Sequence, residues 1–183
     1  MDAGTWSYQR FLDGDQEGLV QIIQEYRDGL MLYLNGFVGN LTVAEDLTED
    51  TFLKLVLKKP RFSARSSFKT WLYAIGRNLA LDHLKRSGAP SIPLEDCQTL
   101  ADEAALEQRY IQREEQRVVN RAMKALKPEY RQVLWLIYFE GFTCAEAAKI
   151  MKKSPHNTET LVWRARNALK IKLIKEGFEY EDL

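Results

Sequence analysis

Residues 61–86 read RFSARSSFKTWLYAIGRNLALDHLKR, a run that interleaves aromatic side chains with cations and holds a single acid, Asp82. Phe68, Trp71, Leu72, Ile75, Leu79 and the Leu81/Leu84 pair recur at three- and four-residue spacing, which predicts a helix from about Phe68 to Arg86. Such a helix would be roughly 28 Å long at about 1.5 Å per residue. Ser66 and Ser67 stand where an N-cap belongs, and Pro60 stops whatever precedes, leaving 61–67 as a loop. The apolar stripe admits two readings of Phe68 and Trp71: rings in a core, or rings offered to a partner.

Toward the N-terminus, Leu19, Ile22, Ile23, Tyr26, Leu30, Tyr33, Leu34 and Phe37 predict an amphipathic helix from about Gln16 to Phe37, ended by Gly36, Gly39 and Asn40. Thr42-Val43-Ala44-Glu45 has the form of a capping box, with Thr42 as the cap of a helix reaching about Lys58. Glu45, Asp46, Glu49 and Asp50 crowd the start of that helix, where the dipole favours anions.

Toward the C-terminus, Ser87-Gly88-Ala89-Pro90-Ser91-Ile92-Pro93 cannot continue a helix, and no period returns before about Leu100. This linker, 88–101, divides the chain into bodies 1–87 and 102–183. The fold class expected is all-α, two small helical domains joined by a flexible linker. In the second body, Asp102 to Ala125 is rich in helix formers, Pro128 opens another helix, and Gly141 ends it. A short helix from Thr143 to Met151, a turn through Lys152 and Lys153, and a helix capped by Ser154 and running to about Lys175 have the layout of a helix-turn-helix.

Charge is distributed in blocks. Net charge is zero over 183 residues, yet Asp13 to Asp50 holds nine acids against Arg27 alone. Thr51 to Gly88 holds nine bases against Asp82 alone, and Lys149 to Lys175 eight against Glu159 alone. Two basic zones separated by a linker suggest two contacts with one polyanion. No apolar run is long enough to cross a bilayer and the first residues lack a signal-peptide layout, so a cytoplasmic protein is expected. Cys97 and Cys144, far apart and without metal-ligand spacing, are read as free thiols, and no metal or other cofactor is expected. No Gly-rich phosphate loop, H-E-x-x-H or Ser, His and carboxylate set occurs, so the chain is not expected to be an enzyme.

Three stretches, in this order, resemble the extracytoplasmic-function sigma factors, the small bacterial class with only regions 2 and 4. Residues 44–53 (AEDLTEDTFL) look like the family's core-binding motif. Residues 66–73 (SSFKTWLY) with Arg77, Asn78 and Asp82 look like its promoter-melting segment. Glu140-Gly141-Phe142-Thr143, Glu146, Ala148 and Arg164-Ala165-Arg166 match its helix-turn-helix. The resemblance implies a transcription initiation factor. Asp46, Leu47, Glu49, Asp50 and Phe52 would meet the clamp helices of the largest subunit of core RNA polymerase. Arg61, Phe62, Arg65, Ser66, Ser67, Phe68, Lys69, Trp71, Arg77, Asn78, Lys85 and Arg86 would bind the minus-ten promoter element. Within that set, 61–67 would cup a flipped base, Phe68 to Tyr73 would form the melting surface, and Arg77 to Arg86 would grip the backbone. Lys153, Ser154, His156, Asn157, Glu159, Thr160, Trp163, Arg164 and Arg166 would read the minus-thirty-five element. An anti-sigma factor is implied as a further partner. The chain departs from the family's habit at Glu159, where Lys or Arg is usual, at Leu161, where Arg is frequent, and at Cys144, where an aromatic is common. Glu159 and Leu161 motivate an alternative: a sigma-like adaptor that binds polymerase or another protein without reading promoters.

Overall fold

The computed structural model describes residues 2–87 and 118–177, and every regular element among them is helical. The expected linker, Cys97 and the start of the helix expected from Asp102 lie outside the described residues. Four helices make the first body: α1 (Ala3–Leu12), α2 (Gln16–Val38), α3 (Leu41–Lys58) and α4 (Phe68–Ser87). In the second, residues 118–124 are helical and are followed by α5 (Pro128–Leu134), a wide turn (Trp135–Phe139), α6 (Cys144–Met151) and α7 (Pro155–Lys175).

The helix boundaries follow from local chemistry. Asp15 caps α2 through the Glu17 amide at 3.0 Å, and Gly39 closes the helix in the left-handed region at φ 63°. α4 begins where the serine pair predicts, with Ser67 Oγ accepting from the Thr70 amide at 3.2 Å. Ser154 accepts from the Asn157 amide at 3.2 Å, and Pro155 fills the first turn of α7. α6 is held by a reciprocal capping box between Thr143 and Glu146.

The capping box expected at Thr42 and Glu45 is not formed. The helix starts earlier, and Asn40 Oδ1 accepts from the Val43 amide at 3.1 Å. Asn is among the strongest N-caps, and directly after the left-handed Gly39 it already has the extended backbone a cap needs. Glu45 instead pairs with Arg27 of α2 at 2.5 Å, tying α3 to its neighbour. Asn40→Ala is therefore expected to cost about 1 kcal/mol of unfolding free energy in urea melts, with Thr42→Ala within about 0.5 kcal/mol of wild type.

α1 has no counterpart in the sequence expectations. The residues it buries are Gly4, Ser7, Tyr8 and Phe11, at helical spacing but half of them small. It crosses α2 so closely that a Cβ on Gly18 would lie 2.3 Å from Ser7 O and 2.8 Å from Phe11 N. Backbone proximity replaces the large apolar stripe that would reveal the helix in sequence.

The first core is built from Tyr8, Ile22, Leu30, Leu34, Leu55, Phe68, Leu72 and Tyr73, all buried, and the second from Val133, Leu136, Ala147, Ile150 and Ala165. The buried cluster runs from one body into the other, with α4 packed on α6 and α2 on α5.

Candidate nucleic-acid interface

The loop before α4 and the N-terminal helix enclose a cleft of about 760 Å³, lined by Thr5, Tyr8, Gln9 and Leu12 on one side and by residues 61–65 on the other. Tyr8 fixes the loop by donating its hydroxyl to Pro60 O at 2.8 Å, and burial pushes that phenol up to about 12. Arg61, Ser63 and Arg65 are exposed on the rim, Phe62 and Ser66 are half-buried, and Ala64 holds the loop's tip at φ 53°. A left-handed alanine is unusual and fixes the direction of the neighbouring side chains. Thr5, Gln9 and the other α1 residues belong to this cleft without having been legible, because α1 itself was not.

On α4 the aromatic residues separate into two roles. Phe68 is completely buried, with ring centroids 5.4 Å from Tyr8, 5.8 Å from Tyr26, 5.9 Å from Phe62 and 5.7 Å from Trp71. In this conformation it is a core residue beneath the cleft, which corrects the expectation of a DNA-contacting ring. Trp71 is half-buried, stacked obliquely on Phe62 at 5.1 Å and Tyr8 at 5.4 Å. Asp2 ties the N-termini of α1 and α4 together by accepting from the Thr5 amide at 2.8 Å and the Phe68 amide at 3.2 Å. Its partial burial would raise the carboxyl's pKa, but these amide bonds outweigh it and hold the group below its ordinary value.

Arg77 differs from the expectation as well. Only 9% of it is exposed, and its guanidinium lies by the buried Tyr33 hydroxyl, so it is a strut inside the bundle instead of a phosphate grip. The exposed cations are Lys85, set 3.8 Å from Asp82, and Arg86, whose Nε donates to Asp82 O. Asn78 is half-buried.

The acidic helix α3 presents Asp46, Glu49 and Asp50 to solvent, while Leu47 and Phe52 are 5% and 6% exposed and belong to the core. That corrects their expected place in a docking surface. The apolar part of the exposed face is made by Leu53 and Leu57, 50% and 69% exposed, which continue the row from Asp46 through Glu49 and Asp50. Neither is among the docking residues expected from the sequence.

α7 turns His156, Asn157, Glu159, Trp163, Arg164 and Arg166 outward, with Trp163 66% exposed. Thr160 donates its hydroxyl to His156 O at 3.1 Å, Ser154 is engaged as the cap, and Lys153 pairs with Glu129 at 3.1 Å. Leu161 is 8% exposed and packs into the core, so its apolar character is accounted for by α7's attachment to the domain.

The two bodies meet at the start of α4. Glu140, whose side chain is 10% exposed, receives the Tyr73 hydroxyl at 2.6 Å and lies 3.1 Å from the Lys69 ammonium. Burial, and after it the neighbouring Glu140 carboxylate, raises the Tyr73 phenol far above its ordinary value, so it stays a donor. Glu146 accepts from Ser67 Oγ and Thr70 Oγ1, both at 3.3 Å. Burial opposes ionisation of Glu146, yet its bonds from Thr143, Ser67 and Thr70 hold the carboxyl below its usual range.

Among the described residues no helix is long and apolar enough to cross a membrane. The Sigma-70 region 2 family matches residues 22–89, and the Sigma-70, region 4 family matches residues 116–169. The chain is 33% identical over 134 residues to the ECF RNA polymerase sigma factor SigC of Mycobacterium tuberculosis (strain CDC 1551 / Oshkosh), covering 73% of this chain and 71% of that protein. It is 25% identical over 171 residues to the ECF RNA polymerase sigma factor SigW of Bacillus subtilis (strain 168), covering 87% and 91%. Its fold is similar to that of CnrH in complex with the cytosolic domain of CnrY, with a TM-score of 0.70 and 24% identity over 95% of this chain and 99% of that one. Against the sigma factor RpoE, co-crystallised with the anti-sigma factor NepR from Bartonella quintana, the TM-score is 0.65 at 25% identity over 85% and 95%.

Proposed function

The chain belongs to the extracytoplasmic-function sigma factors of the sigma-70 family, transcription initiation factors that direct RNA polymerase to promoters and are not enzymes, and on that premise we propose how its surfaces divide the work. The exposed row of α3, Asp46, Glu49, Asp50, Leu53 and Leu57, docks on the clamp helices of the polymerase's largest subunit, the carboxylates orienting the encounter and the leucines holding it.

The cleft between α1 and residues 61–65 takes an unstacked base of the minus-ten non-template strand. Extruding a base costs a few kcal/mol, and stacking on the exposed edges of Phe62 and Trp71 returns roughly 1 to 3 kcal/mol per base. Arg61, Arg65, Lys69, Lys85 and Arg86 neutralise phosphates around it, with Ser66, Ser67 and Asn78 as shorter polar contacts. The outer face of α7 reads the minus-thirty-five element through His156, Asn157, Glu159, Trp163, Arg164 and Arg166, with Lys153, Ser154 and Thr160 fixing the helix start. Glu159 accepts from cytosine N4 in the major groove, a contact that discriminates by about 1 to 3 kcal/mol.

The observation that carries this division is the separation of three exposed surfaces on one chain: an acidic row, a basic cleft and a mixed recognition face. An adaptor that has lost promoter reading has less to recommend it than the sequence alone suggested, since Leu161 serves the core and only Glu159 departs from the family on the exposed face. The factor works in the cytoplasm, at the nucleoid when active, and an anti-sigma factor of the kind bound to RpoE in its co-crystal is its natural inhibitor.

Run-off transcription with purified core polymerase on a promoter library tests the reading. Sequence-specific transcripts absent from core alone are expected, and Glu159→Lys should change the selected upstream base by about tenfold or more. Binding to core without opening any promoter would establish the adaptor instead. An unchanged upstream preference would leave Glu159 as a dipole-stabilising residue only.

A further inference from the structure

Residues 59–68 carry the chain from α3 to α4 past the cleft, and both ends of this connection are tied to α1. At the near end Tyr8 donates its hydroxyl to Pro60 O at 2.8 Å, and the Lys59 ammonium sits 5.3 Å from the centroid of the Phe11 ring. At the far end the Phe68 amide donates to Asp2 Oδ2 at 3.2 Å. Asp2 Oδ1 is taken by the Thr5 amide at 2.8 Å and the Thr5 hydroxyl at 3.0 Å. α1 is thus capped through Oδ1 and α4 through Ser67 Oγ, so the Oδ2 bond serves neither cap and joins one helix to the other.

α1 can hold the loop because it is itself held. A Cβ on Gly4 would lie 2.6 Å from the Tyr26 hydroxyl and 2.7 Å from Phe68 Cδ1, so the helix has no slack against α2 and α4. Between the two ties Arg61, Ser63 and Arg65 are exposed around the cleft, and Ala64 turns the tip at φ 53°. A non-glycine residue keeps a left-handed backbone where its surroundings determine it, and two fixed ends supply that determination.

We propose that α1 sets the shape of the base-capturing loop, with the Tyr8 hydroxyl and the Asp2 carboxylate as the positioning residues that hold the loop's two ends. Neither group touches the base. Each acts by ordering residues 61–67 before DNA arrives, so that the ordering cost is not charged against the captured base. A loop released at one end must be ordered during capture, and the affinity for that one base falls. This rests on the assignment of the cleft to an unstacked base, and the test separates the two.

The ties can be cut one at a time. Tyr8→Phe keeps the buried ring and removes the hydroxyl. Asp2→Asn keeps an oxygen for the Thr5 amide, since Asn caps helices as well as Asp does, but loses the second acceptor that Phe68 needs. Full-length chain with core polymerase is titrated onto a promoter selected from the library, with each minus-ten base of the non-template strand replaced in turn by an abasic site. Wild type should show one position where losing the base costs most affinity. In Tyr8→Phe and in Asp2→Asn the cost at that position should shrink about threefold to tenfold, the worth of one hydrogen bond, with the costs elsewhere unchanged. The charge lost in Asp2→Asn acts on every template alike and cancels in this ratio. Asn40→Ala, which removes a cap on α3 remote from the cleft, serves as the destabilised control and should keep the wild-type pattern. Both variants keeping the wild-type cost, or losing affinity equally at all positions, would overturn the positioning role while base capture stands. No sensitive position in wild type would overturn base capture itself, and the positioning role with it.

Discussion

Phe68→Ala is expected to lower the unfolding free energy by about 3 to 5 kcal/mol, a large share of the roughly 5 to 15 kcal/mol that stabilises a typical domain. The ring is fully buried and stands at the centre of the cluster formed by Tyr8, Tyr26, Phe62 and Trp71. Its removal leaves a cavity that these rings, fixed on four different segments, cannot close together. Gly4 adds a further constraint, since a Cβ there would lie 2.7 Å from Phe68 Cδ1, so α1 is seated directly on the ring. Losing Phe68 should loosen α1 and with it one wall of the cleft, so promoter opening falls as an indirect result. Urea unfolding followed by circular dichroism reads the first effect. Phe68→Leu, which restores most of the volume, should return both stability and opening. Intact stability in Phe68→Ala with lost opening would instead put the ring on the DNA.

The contrast between Phe68 and Trp71 marks the limit of what spacing can tell. Both lie on one predicted stripe, and the large apolar residues of α2 show that such a stripe is legible when it faces a core made of its own kind: Ile22, Tyr26, Leu30, Leu34 and Phe37 are all buried as expected. Which ring of α4 goes under and which stays at the edge is decided by α1, and α1 approaches through Gly4, Ser7 and Gly18, residues that leave no apolar period. Arg77 was misplaced for a related reason. Its charge suggested solvent, but its position on α4 points at Tyr33, and only the packing of α2 reveals that.

The wide turn at Trp135–Phe139 was likewise hidden, since nothing in WLIYF announces that Glu140 N will reach back five residues to Trp135 O at 3.1 Å. Its consequence is local: Trp135 and Phe139 stack at 4.4 Å and 8°, and the Trp135 indole comes within reach of Glu140. π-type turns of this kind are often found at functional sites. The charge blocks, by contrast, needed no tertiary information, and the acidic and basic zones lie on the helices where the sequence put them.

The double substitution Leu53→Ala and Leu57→Ala is expected to weaken binding to core polymerase about a hundredfold while leaving folding stability within about 1 kcal/mol of wild type. Alanine keeps the helix propensity of α3, and neither leucine is part of the buried core, so the fold has little to lose. Two leucines that are 50% and 69% exposed in the free chain have most of their apolar surface still to bury, and burying it in an interface is worth about 1.5 kcal/mol or more for each. Asp50→Asn, by comparison, removes one charge from the row and should slow association a few-fold, with an effect that shrinks as salt is raised. Stopped-flow association and dissociation kinetics of labelled chain with core polymerase separate the two, because the leucine pair acts on the dissociation rate and the carboxylate on the association rate. Unchanged affinity in the double variant would move the polymerase dock off this face of α3, and with it the reason for an exposed leucine row beside three carboxylates.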